Sequence, residues 1–203
     1  MNGRSLQDSD QSVLKAIYAR RSVRTYTPTP LDSATIETLL DAAVHAPTAM
    51  HEEPWAFVVV QDNALLQRLS DFAKPLFVEE VRHRNAHGAK HSFDHFTRPE
   101  FSIFHGANTL IIICAKPLGP FIAADCWLAA ENLMLAASAI GLGSCVIGSA
   151  VAALNIHKVK TELGIPGEYS AIAPIVVGVP GGEIPSASRK APLILSWRKQ
   201  QEA

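Results

Sequence analysis

The stretch over residues 121–140 most constrains the fold of this chain, because it favours a helix and is apolar on several faces at once. Alanine and leucine dominate it, and both have high helix propensity. Asp125, Glu131 and Asn132 interrupt it, so its apolar runs are shorter than the ~20 residues that a membrane-spanning helix needs. Such a helix must be buried, and the sequence predicts burial either inside the domain or between subunits.

Three apolar runs have the composition of buried strands. They cover residues 56–60, 108–115 and 171–179. Helical patterns separate them along the chain, so the sequence predicts an α+β fold: a mainly antiparallel or mixed central sheet with further short strands, flanked by five or six helices. With 203 residues and 48% hydrophobic content the chain can bury a full core, and we expect a single domain over residues 1–203.

Polar residues at the start of apolar periodic segments predict helix N-termini. The side-chain oxygen of such a residue accepts a hydrogen bond from a free amide of the first turn. One of these helices is predicted to end at Lys74-Pro75, since proline lacks the amide hydrogen that an interior position donates. The predicted capping residues are Ser12, Asp32, Asp62 and Asn155.

Charge and cysteine content exclude several classes of protein. The formal net charge of -1 lacks the cationic surplus that nucleic-acid binding requires. The odd set Cys114, Cys126 and Cys145 lies in apolar surroundings without metal-ligand spacing, which is typical of reduced core thiols. Residues 1–11 are polar and resemble no signal peptide. We therefore expect a cytoplasmic protein that binds neither nucleic acid nor membrane.

A cluster of cationic side chains follows the first predicted helix. Arg20, Arg21, Ser22 and Arg24 place three guanidinium groups and one hydroxyl within five residues. Guanidinium forks match phosphate oxygens, so the cluster can hold a phosphate through several charge-assisted hydrogen bonds. The alternative is a solvated basic helix end, because cations are favourable near helix C-termini.

Four histidines recur at four-residue spacing in a polar stretch. His83, His87, His91 and His95 would share one face of a continuous helix and could bind zinc there. Gly88 weakens that helix, and a row of histidines on a solvated face is the alternative that the sequence favours. His105 is expected to have no functional role.

Four segments together resemble the nitroreductase family of FMN-dependent oxidoreductases. The first is the basic Arg-Arg-Ser-x-Arg segment, and the second is a loop that contains Pro47, Thr48 and Ala49 and closes with Pro54-Trp55 before a strand. The third is the Gly-Leu-Gly turn at 141–143. By itself this turn is only a helix end, and its context excludes a dinucleotide fingerprint because a helix precedes it. The fourth is the basic segment at 189–193. The chain departs from the family where His51 and Glu53 replace the usual amide residues of the loop.

The resemblance implies a nitroreductase-like intertwined homodimer with FMN bound between the two chains and with NADH or NADPH as reductant. Residues 79–100 would form a variable lid, and residues 181–203 would pack on the partner subunit. No catalytic side chain and no metal is implied. The implied cofactor-binding residues are Arg20, Arg21, Ser22, Arg24, Pro47, Thr48, Ala49, His51, Val146, Ile147, Gly148, Arg189 and Lys190.

The activity that the resemblance implies is ping-pong reduction of a small planar electron acceptor, such as a nitroaromatic compound or a quinone. Two alternatives belong to different classes of protein. One is a flavin-binding protein for sensing or storage without turnover. The other is a related flavoenzyme that dehalogenates its substrate or fragments a flavin.

Overall fold

A computed structural model describes residues 10–84, 94–184 and 188–199. The four strands of its sheet are antiparallel and lie in the order β1-β2-β4-β3. The strands are β1 (Trp55–Val60), β2 (Thr109–Ala115), β3 (Gly143–Val146) and β4 (Ser170–Gly178). The helices are α1 (Asp10–Ala19), α2 (Ser33–Val44), α3 (Asn63–Arg84), α4 (Ile122–Ala139), α5 (Val151–Leu154) and α6 (His157–Glu162). The predicted α+β class and the three predicted strands are confirmed.

The sheet lies between two layers of helices. Every residue of β2 is buried, because successive side chains point to opposite faces and both faces are covered. Ile111 and Ile113 pack with α2 and α4, whereas Leu110 and Ile112 pack with α3 and α5. The core is therefore double, with one half on each side of the sheet.

The helix α4 fills one of these layers and also presents an apolar surface. Cys126, Ala129 and Leu133 are completely buried against the sheet and α2. Trp127 and Leu128, on other faces, are 42% and 45% exposed. Burial inside the domain thus accounts for one face only. Among the described residues, no helix combines the length and the hydropathy needed to cross a bilayer.

Two predicted helix boundaries are confirmed by local geometry. Asp32 caps α2, with its carboxylate accepting a hydrogen bond from the Thr35 amide at 2.7 Å. Hydrogen bonding from the Thr35 side chain and from the Thr35 amide lowers the pKa of the Asp32 carboxyl. Gly141 follows α4 with a φ of 82°, the left-handed conformation that glycine adopts without strain.

The predicted end of a helix at Lys74-Pro75 is wrong, because α3 continues past it. Pro75 costs the helix one hydrogen bond, which Asp71 would have accepted, but both residues are exposed, so water can serve the free carbonyl. Lys74 is buried and donates from Nζ to the carbonyl of Phe101 at 3.0 Å. This contact between Lys74 and a distant residue therefore favours continuation of α3 through Pro75, where local helix propensity alone would end it.

Two predicted caps are also wrong. Ser12 lies within α1, which includes Asp10. Asn155 makes no cap for α6; its side chain instead donates to the carbonyl of Ala171 and accepts from the amide of Ala171, both at 2.9 Å. This pair of bonds ties the end of α5 to β4.

Candidate functional site

The basic segment lies along the free edge of β3. Ser22 forms a parallel bridge with Ser144, and the Val23 amide donates to the Ser144 carbonyl at 3.0 Å. Val23 itself is buried and packs against Gly143. The segment is thereby fixed to the sheet while Ser22 and Arg24 remain exposed on either side of it.

The three guanidinium groups have different surroundings. Arg20 lies 3.4 Å from the carboxylate of Glu131 on α4, measured from Nε to Oε1. Arg21 donates to the carbonyls of Tyr18 and Arg20, and so closes the end of α1. Arg24 has no ion pair with any other described residue. Of the three, Arg24 is therefore the most available to an external anion.

A cavity of about 200 Å³ adjoins Arg24. Residues 22–25 line one side of it and residues 180–184 line the other. The two sides are joined by backbone, since the Gly181 amide donates to the Thr25 carbonyl at 2.9 Å. Ser22 and Arg24 supply donors to this cavity, whereas Glu183 brings an opposing carboxylate. The donor set fits a group rich in hydrogen-bond acceptors, such as a phosphate or the pyrimidine edge of a flavin ring.

The turn after β3 lies next to this segment. Val146 ends the strand, Ile147 is buried, and Gly148 is exposed. The Ile147 amide donates to the Pro174 carbonyl at 2.9 Å, so it is already used within the chain. This amide, which belongs to a residue predicted to face a flavin, is therefore not free to bind one.

The buried thiol of Cys145 on β3 lies close to the basic segment. Burial raises the pKa of this thiol, while the charge of Arg24, a hydrogen bond with Ser22 and the charge of Arg20 oppose that rise. Ser22, Arg20 and Arg24 thus all lie near the Cys145 thiol on β3.

The second predicted half of the site lies elsewhere. Pro47, Thr48, Ala49 and His51 precede β1, and β1 and β3 are the two outer strands of the sheet. Three strand spacings of about 4.8 Å separate those strands. Within one chain the structure therefore does not bring this loop to the basic segment.

The loop itself has an unusual backbone. Met50, His51 and Glu53 have φ values of 58°, 57° and 44°, which place three non-glycine residues in the left-handed region. Such conformations are unfavourable and occur mostly where surrounding contacts enforce them. His51 and Glu53, the two departures from the family pattern, are both exposed.

The third predicted group, Arg189 and Lys190, lies in an irregular segment. Every residue from 188 to 199 is exposed, and no hydrogen bond joins this stretch to another described residue. The structure of one chain therefore does not place these two cations beside Arg20 or Arg24.

The histidine row falls only partly within the described residues. His87 and His91 lie outside them, as does much of the predicted lid over residues 79–100. His83 is exposed near Glu79 on α3, and His95 packs against Phe96 and Phe101. Within the described part of the chain, no cluster of residues has the composition of a metal site.

Sequence reasoning missed the role of one polar residue at the base of the loop. Asp125 is buried in the first turn of α4, and its Oδ1 accepts a hydrogen bond from the Ala49 amide at 3.2 Å. A carboxylate at the start of an otherwise apolar helical stretch was the available signal. Asp125 also lines a cavity of about 410 Å³, between the loop and the connection from β2 to α4.

The sheet and its two covering helical layers define an α+β protein whose candidate site residues lie at opposite edges of the sheet. The chain matches the model of the Nitroreductase family over residues 17–179, and it belongs to that family. A protein of Archaeoglobus fulgidus with a provisional NADH dehydrogenase/NAD(P)H nitroreductase name is 29% identical over 178 residues, covering 85% of this chain and 88% of its own.

Two further likenesses bear on the site. The crystal structure of a nitroreductase with bound FMN from Bacteroides fragilis superposes with a TM-score of 0.78 at 28% identity, over 92% of this chain and 98% of the other. An iodotyrosine deiodinase of Thermotoga neapolitana is 25% identical over 158 residues, covering 76% of this chain and 81% of its own.

Proposed function

We propose that this protein is an FMN-dependent oxidoreductase that uses NADH or NADPH to reduce nitroaromatic compounds, quinones or similar planar acceptors. Membership of the nitroreductase family and the likeness to an FMN-bound nitroreductase support the cofactor. The observation that carries the proposal is the fixed segment at the β3 edge. Its backbone is paired with Ser144, and it presents Ser22 and Arg24 beside a cavity.

The residues at this edge would hold the cofactor. Arg20, Arg21, Ser22 and Arg24 would bind its phosphate and the polar edge of its ring through charge-assisted hydrogen bonds. In this role Arg20 would shift from Glu131 or bind in addition to it, since the two side chains lie 3.4 Å apart at a partly solvated position. Val146, Ile147 and Gly148 would pack along the ring. Arg189 and Lys190 would complete the phosphate site.

The second half of the site would come from a partner subunit. Pro47, Thr48, Ala49 and His51 lie at the opposite edge of the sheet from Ser22, so a single site that contains both groups needs two chains. Exposed apolar residues on α1 and in the C-terminal segment support a homodimer. These residues are Val13, Leu14, Ile17, Tyr18, Leu193, Ile194, Leu195 and Trp197.

The bound flavin would supply the redox chemistry, by accepting a hydride from the nicotinamide and passing reducing equivalents to the acceptor. The protein would hold the cofactor by its phosphate and cover one ring face, so donor and acceptor must use the remaining face in turn. This arrangement predicts a ping-pong mechanism without a catalytic side chain. The lid at 79–100 and the packing of 181–203 on the partner remain predictions.

Purification and anaerobic reduction test the proposal. The protein should be isolated yellow with FMN, and NADH or NADPH should bleach it without oxygen. A colourless protein that takes up no FMN, or a bound flavin that neither nicotinamide bleaches, would contradict it. The second of these results would favour the sensing or storage alternative.

Reductive dehalogenation is a second candidate function. The similarity to an iodotyrosine deiodinase favours it, because both chains would present related flavin sites. Release of iodide from 3-iodotyrosine by the flavin-loaded, reduced protein distinguishes it from nitroaromatic reduction. Turnover of iodotyrosine together with inactivity on nitroaromatics and quinones would favour dehalogenation over the main proposal.

A further inference from the structure

Asp125 joins the start of α4 to the loop before β1. Its side chain is 3% exposed, and Oδ1 accepts the Ala49 amide across 76 positions of sequence. The other carboxylate oxygen, Oδ2, is buried and has no hydrogen-bond partner among the described residues. A buried carboxylate with one unsatisfied oxygen is unfavourable for folding, so its presence needs an explanation other than stability.

The loop that Asp125 contacts needs an external restraint. Three of its non-glycine residues adopt left-handed backbone conformations, and local preferences oppose them. Within the loop, the Glu52 amide donates to the Ala49 carbonyl at 3.3 Å, which closes a single short turn. The hydrogen bond from the Ala49 amide to Asp125 ties this turn to the buried core.

We propose that Asp125 is a positioning residue, which holds the Ala49 amide and so fixes the conformation in which Thr48 and Ala49 meet the flavin. The proposal rests on the proposed function for the identity of the ligand. In this proposal the loop is held in place because Oδ1 of Asp125 accepts a hydrogen bond, and not because the side chain is negatively charged. Its position in the first turn of α4 also suits a carboxylate, because a negative charge is favourable near a helix N-terminus.

Substitutions at Asp125 distinguish the role of its hydrogen-bond acceptor from the role of its charge. Asp125→Asn keeps an oxygen acceptor without the charge, and should behave as the parent does. Asp125→Leu removes both the acceptor and the charge in a side chain with the same branching, and replacing a buried, poorly satisfied charge by an apolar group often leaves folding intact. If the leucine variant does not fold, Asp125→Ala takes its place. Asn132→Ala is the matched control, since Asn132 likewise joins α4 to the backbone of another segment, by donating to the carbonyl of Ala42 at 3.2 Å.

The first readout needs no flavin. A glutamate-specific protease can cut the loop after Glu52, whereas Pro54 protects the bond after Glu53, and mass spectrometry locates the cut. In the flavin-free protein, Asp125→Leu should be cut there at least fivefold faster than the parent, while Asp125→Asn and Asn132→Ala should match the parent. Equal loop cleavage in all four proteins would overturn the proposal.

The second readout is binding of FMN and of riboflavin, which lacks the phosphate. Asp125→Leu should weaken both about tenfold and leave their ratio unchanged, because the loop would contact the parts that the two flavins share. An unaltered affinity for FMN, or a loss that Asn132→Ala reproduces, would overturn the positioning role. If the parent protein binds no flavin, the proposed function fails, whereas the protease result still tests the restraint on the loop.

Discussion

Val23 occupies the space that a side chain at position 143 would need. A Cβ added to Gly143 would lie 2.7 Å from Cγ2 of Val23 and within 2.9 Å of Cγ1. Contacts this short do not occur between carbon atoms in folded proteins, so glycine at 143 lets the basic segment lie directly on β3. The second glycine of the Gly-Leu-Gly turn therefore serves the placement of Ser22 and Arg24, whereas the first, Gly141, serves the end of α4.

Gly143→Ala should destabilise the protein and weaken FMN binding together. The added methyl group must displace Val23, and overpacking of this kind costs about 1–3 kcal/mol. Urea unfolding and flavin titration measure the two effects. Gly167→Ala is the control, since a Cβ added at that position would have no neighbouring atom within 4 Å. Equal stability of the two single glycine-to-alanine variants would contradict the packing account.

Arg24→Ala should weaken the binding of flavin. If the guanidinium contacts the phosphate, binding of FMN should weaken more than binding of riboflavin. If it contacts the ring, binding of both flavins should weaken. In either case, removal of a charge-assisted bond should cost about 1.5–3 kcal/mol of binding free energy. Fluorescence titration with both flavins measures it. Lys158→Ala removes an exposed cation from α6 and serves as control. An Arg24→Ala protein with the parent's affinity for both flavins would refute the assignment of Arg24 to the site.

The C-terminal segment should be required for a stable dimer. Leu195 is 90% exposed and Trp197 is 72% exposed in the single chain, so both are expected to gain burial from a partner. Replacing both with serine, or ending the chain before Pro192, should raise the dimer dissociation constant, with Lys199→Ser as the control. Sedimentation at micromolar concentration measures the effect. A monodisperse, flavin-loaded monomer of the full chain would refute the dimer.

His105 should make the protein less stable as the pH falls. Burial lowers the pKa of this imidazole below 6.5, and the positive charges of Arg24 and His95 lower it further. The unfolded chain therefore binds a proton at a pH where the folded chain does not, so stability is lost as the pH falls from about 6.5 toward the lowered pKa.

His105→Asn tests this pH dependence. Asparagine tolerates the φ of 55° at this position and does not titrate, so the variant should lose part of the decline in unfolding free energy between pH 7.5 and pH 5.5. His157→Asn, at an exposed position on α6, should keep the parent's decline. A decline in His105→Asn that equals the parent's would show that another group is responsible.

Patterns within a few residues predicted much of the fold. Asp32 was identified as a cap because its side chain can reach an amide three residues later, and that contact depends on no distant residue. The strand at 108–115 was identified because an uninterrupted apolar run must be covered on both faces. The errors at Pro75 and Asn155 have the opposite origin. Lys74 bonds to Phe101, and Asn155 bonds to Ala171, so distant partners decide both positions.

The sequence predicted which segments contribute to the candidate site, but it did not predict how these segments are arranged in space. The cluster at Arg20 and Arg24 is visible in sequence, but its attachment to Ser144 depends on strand order. Strand order also places the loop of Thr48 and Ala49 at the opposite edge. The contact between Ala49 and Asp125 could not be predicted, because no local pattern links a loop amide to a helix so distant in sequence.

Anaerobic stopped-flow reduction followed by mixing with an acceptor tests the central claim most directly. We expect that NADH or NADPH bleaches the bound flavin, that a nitroaromatic or quinone restores its colour, and that steady-state double-reciprocal plots give parallel lines. Intersecting lines would contradict the alternating use of one open face, and a bound flavin that neither nicotinamide can bleach would contradict the proposed oxidoreductase function itself.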